Sequence, residues 1–82
     1  MTSEEFHSGI ASLIDGWCER RALSLLRVLL AAYPLASGLT DEWAEVAFSL
    51  KEIRVWHHEA LAPGEFDRVV SLLHHAEGIA YQ

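Results

Sequence analysis

The sequence predicts an all-α fold, a compact four-helix domain with antiparallel neighbours. Three observations carry that prediction. Apolar residues recur at three- and four-residue spacing along three long stretches, which is the period of a helix with one buried face. No stretch shows the strict alternation of a half-buried strand. Capping residues, glycines and prolines divide the chain into four segments with short connections, as antiparallel helices require. The fourth segment, Ala22–Ala32 (ALSLLRVLLAA), is apolar at nine of eleven positions and has almost no polar face. It is therefore expected to be the buried helix that the other three cover, in a regular bundle or an irregular one with helix 2 central.

Residues 1–82 are expected to form one helical domain, with helices over about 3–20, 24–33, 41–59 and 63–79. In the first helix Thr2-x-x-Glu5 fits a capping box, and Glu4 and Glu5 suit the positive helix start. Its stripe is Phe6, Ile10, Leu13, Ile14 and Trp17. Asp15-Gly16 is a candidate break, but Trp17 keeps the phase of the stripe, so the helix is read through it. The second helix takes Ser24 as a candidate N-cap and stops before Pro34, which disfavours helical backbone at Tyr33. The linker Leu35-Ala36-Ser37-Gly38 is apolar enough to lie against the core.

Helix three has Thr40 as N-cap, Leu39 at the staple position, Asp41 and Glu42 in its first turn, and a stripe of Trp43, Val46, Ala47, Leu50, Ile53 and His57. Helix four opens with Pro63 at its first position and carries Phe66, Val69, Val70, Leu73, Ala76 and Ala80 on one face.

Composition narrows the function. Twelve acidic and six basic residues leave a formal charge of −6, which disfavours nucleic acid and anionic membrane surfaces as partners. An apolar fraction of 51% allows a core together with some surface for a partner. The single cysteine, Cys18, has no internal disulfide partner, which suits a reducing cytoplasm. The first ten residues lack the charge pattern and apolar run of a signal peptide. The apolar run from residue 22 is too short, and too interrupted by Arg27, Pro34 and Gly38, for a membrane span.

Residues able to carry chemistry are few. Neighbouring histidines in His57-His58 and His74-His75 point about 100° apart on a helix, so neither pair chelates one ion, and no metal site is expected. His57 is read as the end of a core stripe, and His58, His74 and His75 as flanking or surface residues. Arg27 and Arg54 are the candidates for a buried ion pair, with Asp15, Glu19 or Glu45 as partners for Arg27. Cys18 has no histidine near it in sequence to serve as a base, and free cysteine is usually buried. The acidic residues fall at solvent-facing spacing, and there is no phosphate loop or nucleophile elbow.

The aromatics say more. Phe6, Trp17, Trp43 and Phe66 lie on stripes and read as core. Phe48 projects away from the helix-three stripe, with Ala44 and Val55 on its side, and Trp56 also lies off the stripe. Either the chain itself covers this second strip, or Ala44, Phe48, Val55 and Trp56 form a contact with a partner or a second copy.

The run LIDGWCERRALSLLRVLLAAYP (Leu13–Pro34), followed by GLTDEW (Gly38–Trp43), resembles small bacterial all-helical proteins of uncharacterised function. The resemblance spans about half the chain. It implies a bacterial, cytoplasmic origin and brings across no activity, ligand or site residue. The expected function is non-enzymatic: a small acidic protein-interaction or homodimerisation module without cofactor. The alternative is a small-molecule or metal-binding regulator with a pocket near His57, Arg54 and Trp56.

Overall fold

A computed structural model describes residues 1–35 and 40–81. The chain forms α1 (Ser3–Glu19), α2 (Leu23–Leu30), α3 (Thr40–Trp56) and α4 (Glu65–Ala80), with a 3-10 turn at His58–Ala60 leading into α4. The described residues contain no strand. None of their helices is long and apolar enough to cross a membrane. The linker residues 36–39, including the staple position of Leu39, lie outside the described residues.

α1 begins as its sequence dictates. Thr2 Oγ1 accepts from the Glu5 N–H at 3.1 Å, and the Glu5 carboxylate accepts from the Thr2 N–H at 3.1 Å, closing the capping box. Hydrogen bonds from the Thr2 backbone and then its side chain hold the Glu5 carboxyl below its ordinary range. The helix continues unbroken through Asp15 and Gly16, which brings Trp17 into the core with Phe6, Ile10 and Leu13.

α1 ends in a Schellman arrangement. The Ala22 N–H reaches Trp17 O at 2.8 Å and the Arg21 N–H reaches Cys18 O at 3.3 Å. Arg21 is left with φ +54°, a left-handed conformation that costs a residue with a Cβ about 1 kcal/mol. Arg21→Gly is therefore expected to raise stability by about 0.5–1 kcal/mol in a urea titration. A loss of stability would show that the Arg21 side chain matters more than its backbone strain.

α2 departs most from expectation. It stops at Leu30, three residues short of Tyr33, and it is not the central helix. Only Leu25 and Leu29 are fully buried; Leu23 and Leu30 stand largely in solvent, and so does Arg27. Its eight residues span about 12 Å. It packs against α3 and, less extensively, α1, whereas α3 makes its largest contact with α4. α3 contributes the most buried residues: Trp43, Val46, Ala47, Leu50 and Ile53 follow the predicted stripe, with Ser49 added.

The join between α3 and α4 also differs from the sequence reading. α3 stops at Trp56, and Pro63 precedes α4. Pro63-Gly64 forms the centre of a turn closed by Glu65 N–H to Ala62 O at 3.0 Å. Gly64 takes φ +87° and ψ −21°, the third-residue geometry of a type II turn and one that glycine adopts without strain. Glu65 then ties the turn to α1. Its Oε1 accepts from the Ala62 N–H at 2.8 Å, from Trp17 Nε1 at 3.1 Å and from the Arg20 guanidinium. Arg20 in turn donates to Ala60 O at 2.9 Å. Burial would raise the Glu65 carboxyl, but the Ala62 N–H, the Trp17 indole and the Arg20 charge outweigh it and hold it below its ordinary value.

The buried face of α4 is turned toward Leu72. Val69, Leu72, Leu73 and Ala76 are buried, while Phe66, expected in the core, is 44% exposed. Gly9 of α1 makes room for Leu72. A Cβ there would come within 3.1 Å of Leu72 Cδ2, so the missing side chain leaves the gap that Leu72 fills.

Candidate functional site

α4 and α2 make the largest contacts with α3, and its outer face is left uncovered. Phe48 is 66% exposed, Val55 44% and Trp56 77%. Ala44 is half-buried beside them. The spacing of 44, 48 and 55 sets these residues along one line of the helix, with Trp56 at its edge. Of the two explanations the sequence allowed for this strip, cover by the described part of the same chain is excluded.

Other elements extend the strip in ways its own sequence does not announce. On one side of Phe48 lies an open depression of about 520 Å³, walled by Ala44 and Glu45 of α3, by Ala31 and Ala32 after α2, and by Tyr81 after α4. On the other side lies a second depression of about 220 Å³ between Phe48, Val55 and Trp56, with Lys51 and Glu52 at its rim. Tyr81 is 68% exposed and Leu30 49%. Leu30 joins Ala31 and Ala32 on a further depression bordering Glu42 and Glu45. The result is a ridge, Phe48, between two hollows. Both hollows face solvent, a shape suited to receiving side chains of a partner rather than enclosing a small molecule. Tyr81, Ala31 and Ala32 reach the strip only because α2 ends early and α4 runs to Ala80.

One side of the strip is acidic. At 100° per residue, Asp41, Glu45 and Glu52 fall between the line through Phe48 and Trp56, and Lys51 on the other side. Asp41, Glu45 and Lys51 are exposed and Glu52 is half-buried.

The other candidates are placed elsewhere. Arg27 and Arg54 form no buried ion pair: Arg27 is exposed, Arg54 is half-buried, and neither has a carboxylate at ion-pair distance among the described residues. The ion pair that does form, Arg20–Glu65, joins the end of α1 to the start of α4. Arg27 reaches water because its short helix is covered on one side only, so no desolvated charge needs a partner. Trp56 borders a hollow with Phe48, whereas His57 and Arg54 wall none of the three depressions described above. No group of three His, Cys, Asp or Glu suited to holding a metal ion occurs among the described residues. Cys18 is exposed, against the expectation of burial.

His75 is not a surface residue as the sequence suggested. Its ring stacks on Phe6 at 5.2 Å and meets the edge of Trp43 at 5.9 Å, and its Nε2 is buried without a hydrogen-bond partner among the described residues. Beside it His7 Nδ1 and Tyr33 Oη lie 2.8 Å apart, and burial pushes the Tyr33 phenol above its ordinary value. The cluster joins Phe6 and His7 from the first turns of α1 to Tyr33, Trp43 and His75, and none of these lines the two hollows beside Phe48. Comparison of the chain with family models, with curated proteins and with solved structures finds no match.

Proposed function

We propose that this chain works by binding, as a non-enzymatic protein-interaction module whose contact is the outer strip of α3: Ala44, Phe48, Val55 and Trp56. One observation carries the reading. Two large aromatics, a valine and the neighbouring Tyr81 stand exposed around a ridge with a hollow on each side. Isolated exposed apolar residues are ordinary, but a contiguous aromatic group is the usual anchor of an interface. Covering each large side chain fully is worth about 1.5–3 kcal/mol. The formal charge of −6 supports a protein rather than a nucleic acid as the partner. The single, exposed thiol of Cys18 supports a reducing compartment, and the resemblance over Leu13–Pro34 and Gly38–Trp43 supports a bacterial cytoplasm.

The double variant Phe48→Glu/Trp56→Ala tests the reading. Both side chains are largely exposed, so thermal stability should stay within about 0.5 kcal/mol of the parent. Association, measured by sedimentation of the chain alone and by pull-down from its source organism, should be lost. A strict monomer whose pull-down is the same for parent and variant would remove the reading.

A further inference from the structure

We infer that the occupant of the α3 strip is an amphipathic helix of another protein, with apolar anchors on one face and lysine or arginine facing the acidic residues of α3; this rests on the strip being an interaction surface. The helical shape follows from the two hollows. On α3 one runs from Ala44 to Ser49 and the other from Phe48 to Trp56, so they follow one another along the helix axis and share Phe48 as their divide. A helix laid along the strip presents apolar side chains at i, i+4 and i+7 on one face, and Phe48 fits between them as a ridge in a groove.

The charge follows from the border. Asp41, Glu45 and Glu52 lie on one side of Phe48, toward Trp56, while Lys51 is exposed on the opposite side with the half-buried Arg54 beyond it. A partner with basic residues facing the acidic flank meets opposite charge along the whole contact. A second copy fits less well. Antiparallel pairing of two strips about Phe48 sets Glu45 of one copy beside Glu52 of the other, twice, and brings together two chains of formal charge −6.

Two fluorescein-labelled synthetic peptides of about 18 residues, roughly five helical turns, provide the test. Both carry leucine at i, i+4 and i+7; one has lysine on the flanks and the other glutamate. Fluorescence anisotropy is read with the intact purified chain, alongside sedimentation and circular dichroism of every variant. The lysine-flanked peptide is expected to bind at least about tenfold more tightly, and to weaken as salt rises from about 50 to about 500 mM. Phe48→Glu and Trp56→Ala should each weaken it about tenfold or more with unchanged dichroism. Glu45→Lys/Glu52→Lys should invert the preference between the peptides.

Equal binding of both peptides, or a preference that the charge-reversed variant leaves unaltered, would overturn the basic partner while keeping the strip as an interaction surface. A dimer that Phe48→Glu splits would assign the strip to a second copy, with the same consequence. Failure of both peptides to bind a chain that sediments as a monomer before and after Phe48→Glu would overturn the inference and the interaction surface together.

Discussion

Trp17→Ala should destabilise the protein by about 3–5 kcal/mol. Trp17 is fully buried in a core to which all four helices contribute. Its removal both withdraws apolar surface and leaves a void that the neighbours fill only in part. At roughly 0.05–0.15 kcal/mol per residue, a chain of 82 residues has about 4–12 kcal/mol in total, so the variant should lose about a quarter or more of its stability. Urea unfolding followed by circular dichroism measures the change. Trp17→Phe separates two contributions, because it keeps most of the ring and loses the Nε1 donor to Glu65, for about 1–2 kcal/mol. Phe66→Ala is the control: its ring is nearly half exposed, and the loss should stay below about 1 kcal/mol. Equal losses at Trp17 and Phe66 would show that α4 buries the face its stripe suggested, not the one turned toward Leu72.

Glu65→Ala should cost about 2–3 kcal/mol, because it strips an acceptor from three donors at once: the Trp17 indole, the Ala62 N–H and the Arg20 guanidinium. The same carboxylate should make the fold sensitive to acid. Its pKa in the folded chain is lowered, so its contribution is fully present above the unfolded value of about 4.3 and disappears as pH falls through the folded value. Glu65→Gln keeps an oxygen for the indole and the turn but cannot titrate. It should be less stable than the parent near neutral pH, and the difference should shrink below about pH 4. Urea midpoints measured from pH 7 down to about pH 3 compare the two chains. A constant difference over that range would show that the Glu65 charge does not couple to folding.

The parts of this protein that local rules govern were legible in its sequence. The capping box at Thr2 and Glu5, the continuation of α1 through Gly16 and the buried stripe of α3 all depend on residues within one or two turns of each other. Their physical cause is written in the segment itself. The second apolar line on α3 was legible in the same way, since helical spacing alone sets Ala44, Phe48 and Val55 together. Whether that line was covered was a different question, because the answer depends on where the other helices stand.

What the sequence by itself determined is therefore the all-α class, the main helices and most of the residues that face inward. The tertiary structure alone decided how those faces meet. It gave the most buried residues to α3 and left α2, the most apolar segment, with only Leu25 and Leu29 fully buried, because α2 is packed on by α3 and α1 alone among its larger contacts. It buried Leu72 against Gly9 of another helix and left Phe66 nearly half exposed. It paired Arg20 with Glu65, forty-five residues away, where the apolar surroundings of Arg27 in the sequence had pointed to Arg27 and Arg54. It also placed Ala31, Ala32 and Tyr81 beside Phe48, turning a line on one helix into a ridge between two hollows. Each of these depends on contacts between elements distant in sequence, and hydrophobic periodicity says which side of a helix is buried without saying what buries it.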